Sequence, residues 1–213
     1  MKAKIAVATL DGKAYFLLVT ELKNRNIDFL SLVPGEPVPA EAKVVITTDR
    51  EKPLISHDKI LIYDNTAEPS AVVSEALKIL QGKEAYEQIV VGIDPGEVTG
   101  LAVVADGKVN QTKACLSVHE ITNEVKAIIK NVDFSVTQVV VKIGNGVPLY
   151  RELLAELDAA LSSEVVLEVV SEAGTDRLSR RDKHRRGLRD IASAIRIAGR
   201  EGRVYPRGRA EEK

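Results

Sequence analysis

Residues Ile89–Ala105 read Ile-Val-Val-Gly-Ile-Asp-Pro-Gly-Glu-Val-Thr-Gly-Leu-Ala-Val-Val-Ala. Ile89–Ile93 is apolar throughout, as expected of a central strand buried on both faces. Asp94-Pro95-Gly96 interrupts it, Thr99-Gly100 follows, and Leu101–Ala105 forms a second strand. Asp106-Gly107 is a hairpin signal that returns the chain through Lys108–Lys113. Three antiparallel strands are therefore expected, with Asp94 at the end of the first.

Downstream of this meander, strands and helices alternate. Thr122–Asn131 has helical periodicity through Val125, Ile128 and Ile129. Val136–Ile143 reads as a strand ending in Gly144-Asn145-Gly146, Leu149–Ser162 as a helix and Val165–Val170 as another strand. A last helix is expected from near Leu188 to Arg200, with Ile191, Ala194, Ile195 and Ala198 as its buried stripe. The order is βββαβαβα over residues 84–213.

Residues 1–83 form a separate small α/β unit. Lys4–Thr9, Ile27–Val33, Val44–Thr48 and Ile60–Tyr63 are short β-rich runs, and the Pro-rich stretch 34–39 closes the second of them. Helices are expected over Lys13–Arg25 and from Pro69 to about Leu80, where Gly82 stops the second. Strands alternating with helices favour a mainly parallel sheet. No motif of chemical meaning stands out here, which suits a partner-binding or architectural domain.

Composition narrows the function classes. The 45% hydrophobic content supplies a core, and a net charge of −1 excludes a highly charged disordered chain. No apolar run approaches the roughly 18 residues of a membrane span, and the first residues lack the apolar core of a signal peptide. The single cysteine, Cys115, excludes an intrachain disulfide framework. A soluble cytoplasmic protein with no membrane partner is expected. The absence of Trp, a single Met and the many charges suit a thermophile.

The near-neutral total hides a split. From Asp176 to Lys213 there are 13 Lys and Arg against 6 Asp and Glu, a net of +7. Residues 1–175 hold the other 17 basic and 25 acidic residues, a net of −8. A basic segment on an acidic body is an electrostatic footprint for a polyanion, although a solvated tail has the same composition. His184 lies within it and reads as a charged surface residue rather than a metal ligand, one able to bind phosphate or gate product release. His57 and His119 have no neighbours that point to a function.

Three carboxylates stand out by position. Asp94 ends a buried strand, Glu172 follows the strand Val165–Val170, and Asp190 opens the last helix. Oxygen ligands of this kind suit hard divalent cations such as Mg²⁺. Converged carboxylates repel one another unless a cation or a shared proton compensates. Each also has a plainer reading: Asp94 as a turn former, Glu172 as a solvated loop residue, Asp190 as a helix N-cap.

The stretch Val-Gly-Ile-Asp94-Pro-Gly-Glu-Val-Thr-Gly-Leu-Ala resembles the first-strand motif of the ribonuclease H-like superfamily, in particular RuvC-type Holliday-junction resolvases and the YqgF (RuvX) group. Gln138–Gly146 resembles the strand of that group that ends in a Gly-rich loop. Glu-Val-Val-Ser-Glu172-Ala-Gly-Thr is similar to its Asp-Glu-Arg segment, and Leu-Arg-Asp190-Ile-Ala-Ser-Ala-Ile to its terminal Asp-x-Ala-x-Ala helix. The likeness spans residues 84–205 and implies a ribonuclease H-like fold with Asp94, Glu172 and Asp190 as catalytic carboxylates binding Mg²⁺ or Mn²⁺. The sequence departs from the pattern at Ser171 and Ala173, which replace the acidic and arginine neighbours of the central Glu. It departs again at Lys142, in the fourth-strand region where many of these nucleases carry an acid.

Three functions follow as expectations. The first is a metal-dependent, structure-selective nuclease acting on branched DNA or on RNA, as a monomer or a homodimer. Arg177, Arg180, Arg181, Lys183, His184, Arg185, Arg186 and Arg189 would track the phosphate backbone. The second is a nucleic-acid-binding protein that kept the fold without turnover. The third is an actin-like ATPase, because Asp-Pro-Gly-x-x-Thr-Gly also resembles a phosphate loop; residues 1–83 lack the second copy that such enzymes carry.

Overall fold

The computed structural model describes residues 4–171 and 186–207. The chain divides into two compact units, 1–85 and 86–213. In the first, β1 (Ile5–Ala8), β2 (Phe29–Leu32), β3 (Val44–Thr47) and β4 (Ile60–Ile62) form a wholly parallel sheet in the order β2-β1-β3-β4. Both helices, α1 (Gly12–Asn24) and α2 (Pro69–Leu80), pack on one face, where Ile5, Val7, Val44 and Ile46 meet Leu18, Leu22, Val73 and Ala76. The other face holds Ala6, Ala8 and Val45 and is covered by loop residues including Val38, Ala42 and Ile55. The loops after β2 and β3 thus do the covering that a crossover helix would do elsewhere.

The second unit is a six-stranded mixed sheet, in the order β10-β9-β8-β5-β6-β7. Its first three strands are β5 (Gln88–Asp94), β6 (Thr99–Ala105) and β7 (Lys108–Cys115), paired antiparallel as expected. The β6–β7 turn places Asp106 at φ 45° and Gly107 at φ 76°, the left-handed pair a tight hairpin requires. Then come α3 (Val118–Ile129), β8 (Gln138–Gly144), α4 (Leu149–Ala160), β9 (Val166–Val170), α5 (Arg186–Ala198) and β10 (Arg203–Val204). β8 runs parallel to β5, and β9 parallel to β8. The chain is an α/β protein with one parallel and one mixed sheet.

Alternation along the strands separates two faces of this second sheet. Ile89, Val91 and Ile93 of β5, with Val139, Val141 and Ile143 of β8, build the main core with α3 and α4. Val90, Gly92 and Asp94 occupy the opposite pleat, against which α5 lies. Contacts of α5 with β5 and β6 dominate its packing.

Three expectations need correction. α3 begins at Val118 rather than Thr122, because Ser117 caps it by accepting from Glu120 N at 3.1 Å. α5 begins at Arg186, so Asp190 is its fifth residue and does not cap it. The buried stripe of α5 is Ala194, Ile197 and Ala198, whereas Ile191 and Ile195 are half-buried. The two-residue strand β10, paired antiparallel with β9, was not legible in the residue pattern.

Candidate functional site

The site is built around Gly100. Asp94 is the last paired residue of β5, and its direct partner on β6 is Gly100. Directly opposed residues in an antiparallel pair lie about 4.5–5.5 Å apart at Cα and point to the same face. Pro95 follows and has no N–H to continue the ladder. The turn is tied by Thr99, whose side chain is 3% exposed and whose Oγ1 accepts from Gly96 N at 3.3 Å.

The helix α5 reaches the same point from the other direction. A Cβ added at Gly100 would collide with the Asp190 carbonyl oxygen and stand 2.9 Å from Ile191 N. One pleat back, a Cβ at Gly92 would collide with the Ala194 carbonyl oxygen and stand 2.8 Å from Ala198 Cβ. The two glycines form a smooth track on which the helix backbone rests directly on the sheet. Asp190, Ala194 and Ala198 are spaced i, i+4, i+8 and so share one helix face. Asp94 and Asp190, distant in sequence, therefore flank Gly100 at one end of the sheet, and both are half-buried.

Of the expected site residues, the structure places Asp94 and the main chain of Asp190 on either side of Gly100. Glu172 lies outside the described residues, as do Arg177, Arg180, Arg181, Lys183, His184 and Arg185. Arg186 and Arg189 stand in the first turn of α5. Among the described residues no group of three or more His, Cys, Asp or Glu side chains converges as a metal cage. Carboxylate oxygens such as those of Asp94 and Asp190 are donors of the kind that suits Mg²⁺ or Mn²⁺, and Mg²⁺ seldom uses an all-protein cage.

Lys142 has a structural task. It lies on the α5 face of β8, opposite Gly92 on one side and Glu168 on the other. Its ammonium stands 3.4 Å from Glu168 Oε2 and donates to Arg200 O at 2.6 Å. A cation just beyond the last turn of α5 meets the negative end of the helix dipole, so Lys142 anchors that end to the sheet. Beside Asp94, β8 carries Gly144.

The first unit holds a polar cluster that the sequence pattern did not reveal. It lies where β1 and β3 end, the point at which strand order reverses and ligands commonly bind in open parallel sheets. Glu51 accepts from the Thr9 hydroxyl, from Thr48 Oγ1 at 2.6 Å and from Leu10 N at 2.6 Å. Burial pushes its carboxyl up, but the Thr48 and Thr9 hydroxyls and the Leu10 amide outweigh it and hold it below the usual range. Asp11 caps α1 through Lys13 N and Ala14 N and accepts from Asn65 Nδ2 at 2.9 Å. The Ala14 amide and the Asn65 side chain keep it ionised below the usual carboxylate pKa. These oxygens already serve the chain's own donors, and the cluster ties β1, β3 and the loop after β4 together.

Cys115, fully buried, has its thiol pushed up to about 11 by burial first and by Glu120 second, which makes it unreactive at neutral pH. No helix among the described residues is long and apolar enough to cross a membrane.

Comparison with known proteins adds the following. Residues 4–80 match the model of the response regulator receiver-like domain. No curated protein matches the sequence. Among solved structures, Marinitoga piezophila Argonaute in complex with a 5′ OH guide RNA is similar at 11% identity and TM-score 0.26, covering 79% of this chain and 39% of that one. The large terminase of a thermophilic bacteriophage is similar at 10% identity and TM-score 0.31, covering 92% and 74%. Kluyveromyces polysporus Argonaute with a guide RNA is similar at 10% identity and TM-score 0.23, covering 80% and 33%. The chain thus spans well under half the length of the Argonautes it resembles.

Proposed function

We propose that the second unit is a ribonuclease H-like, divalent-metal-dependent nuclease that hydrolyses phosphodiesters of branched DNA or of RNA. One observation carries this reading: Asp94 and the main chain of Asp190, far apart in sequence, both lie against Gly100 at the end of the central strand. The element order βββαβαβα, with an added edge strand, and the resemblance of both motifs to RuvC-type and YqgF-type proteins support it.

Asp94 and Asp190 would hold the cation, with Glu172 completing the set. A divalent cation there supplies charge stabilisation at the attacking and leaving oxygens of an in-line displacement. The chain's own residues position it. Asp94 is fixed by the strand ladder, and Asp190 stands on a helix whose backbone rests directly on Gly92 and Gly100. The arginine-rich segment from Arg177 to Arg189 holds the phosphate backbone and supplies affinity without sequence choice.

The test is cleavage of labelled four-way junctions, flaps, single strands and RNA hybrids with Mg²⁺ or Mn²⁺. Asp94→Asn keeps the side chain's size while removing its charge. It should cost at least about 10²-fold in cleavage rate, because charge stabilisation of this kind is worth several kcal/mol. Binding in low salt should persist. Wild-type protein that cleaves none of these substrates would sink the reading.

A second reading, a nucleic-acid-binding protein without turnover, is favoured by one observation. β8 offers Gly144 beside Asp94 and the cation Lys142 one pleat back, so that strand contributes no acid to the row. Binding of the same substrates with no cleavage under any metal would establish it.

A further inference from the structure

On the α4 face of the second sheet, a pocket of about 580 Å³ opens between α4 and β10. This lies within the roughly 300–1,000 Å³ of small-molecule sites. Its apolar floor includes Leu154, which is 4% exposed, and the half-buried Val169. Tyr150 enters from the first turn of α4, and Tyr205 follows β10. Both rings are partly packed on the core and half-buried, so they are held in place. Arg151 and Arg203 are exposed at the rim. The Arg151 guanidinium lies 5.7 Å from the Tyr150 ring centroid, and its Nε donates to the Tyr150 hydroxyl at 3.3 Å. Among the described residues no carboxylate lines the pocket.

The lining selects its ligand by chemistry. A purely apolar molecule leaves two guanidinium groups unused, and a bare anion leaves two aromatic rings unused. A nucleotide uses both, since every base has a flat face to stack on a ring and its phosphate suits an arginine fork. The pocket also lies at the same end of the sheet as Asp94. Asn145 and Ser171 line it just beyond the ends of β8 and β9, and Asn145 N donates to Val170 O at 3.1 Å. Asn145 follows Gly144, the residue of β8 next in register after the Ile93–Ile143 pair and so beside Asp94. Adjacent strands lie about 4.8 Å apart. The pocket and the Asp94–Asp190 pair thus share one end of one sheet, on opposite faces.

We infer that this pocket holds one unpaired nucleotide of a bound strand, its base against Tyr150 and Tyr205 and its phosphate on Arg151 and Arg203. The inference deepens the nucleic-acid reading above and rests on it. It gives the protein a reason to prefer single-stranded or flapped substrates, because only an unpaired base can enter.

The test uses the full chain with EDTA, so that no cleavage intervenes. Short fluorescein-labelled oligothymidylate and oligouridylate, each with one 4-thio base, are titrated by anisotropy and then crosslinked with ultraviolet light. Crosslinks should fall in the peptides that contain Tyr150 or Tyr205. Tyr205→Leu keeps apolar contact with the core but removes the ring, and should weaken binding roughly 5- to 150-fold, the range for loss of one stacked base. The double variant Arg151→Ala and Arg203→Ala, confined to exposed side chains, should also weaken binding and reduce its salt dependence. Circular dichroism melting establishes that each variant folds. The tighter of the two oligonucleotides identifies the strand type.

Crosslinks elsewhere, or wild-type affinity in both variants, overturn the inference, as does a wild type that binds neither oligonucleotide. The two readings fail separately. Metal-dependent cleavage by the wild type with full-strength binding by Tyr205→Leu overturns the pocket alone. Pocket-directed binding with no cleavage of any substrate overturns the nuclease alone.

Discussion

A side chain at position 100 has no room, because the space a Cβ needs is filled by the backbone of α5 at Asp190 and Ile191. Gly100→Ala therefore pits two effects against each other. Replacing a strand glycine gains about 0.5–1 kcal/mol by restricting the unfolded chain. Overpacking costs about 1–3 kcal/mol, and here the obstacle is main chain, which cannot rotate aside. The clash should win and displace Asp190 from Asp94. Urea unfolding should show lower stability, and metal-dependent cleavage should fall with it. Gly12→Ala, at a site with open space around it, is the control and should not be destabilised. A Gly100→Ala protein as stable as the wild type would mean that α5 does not lie on this track.

Among the described elements β10 is the smallest, and one side chain ties down the chain just beyond it. It pairs over only two residues, Arg203 with Val169 and Val204 with Glu168. Three residues on, Arg207 reaches back to the end of α4. Its guanidinium donates to Asp158 Oδ1, Asp158 O and Leu161 O, each at 2.7 Å, to Val165 O at 3.0 Å, and to Ser162 O. This satisfies carbonyls that a helix C-terminus leaves without partners. Arg207→Lys keeps the charge but loses the planar fork, so several of these acceptors lose their donor at once. The cost should be about 1–3 kcal/mol, felt locally at β10. Hydrogen exchange at the Tyr205 amide, which donates to Leu167 O at 2.8 Å, should quicken by roughly tenfold or more. Unchanged exchange there would show that the strand pairing holds β10 unaided.

For the molecule as a whole, the division of charge is the dominant long-range feature. The +7 segment from Asp176 to Lys213 follows a body of net −8. Counterion release makes binding to a polyanion steeply salt dependent. With 6–10 phosphate contacts, affinity should fall about 10³- to 10⁵-fold between about 50 and 200 mM salt. Replacing Arg180, Arg181, Arg185 and Arg186 with Ala should flatten the log–log slope by roughly 0.9 for each phosphate no longer neutralised. Anisotropy titrations of a labelled four-way junction over that salt range measure it. An unchanged slope would assign the arginines to a solvated surface.

Residue pattern alone determined the elements whose signals are local. The apolar run Ile89–Ile93, the Asp106-Gly107 turn and the alternation that follows specify a meander and then strands alternating with helices, because burial on both faces and left-handed turns each demand particular residues. Asp94 was legible for the same reason, as a charge at the end of a buried strand. The cap of α3 was also present in sequence as Ser117-Val-His-Glu120, a local motif that outweighs the later start suggested by hydrophobic period. What only the tertiary structure decided depends on contacts between distant residues. The rotation of α5 is set by Gly92 and Gly100, whose missing side chains draw its backbone onto the sheet and bury Ile197 with the expected Ala194 and Ala198, in place of Ile191 and Ile195. The placing of Asp94 and Asp190 about Gly100, the anchoring of Lys142, the Arg207 clamp and the tyrosine-lined pocket all join residues on separate elements. No local period encodes them, because each exists only once the sheet has set its register and the helices have found their grooves.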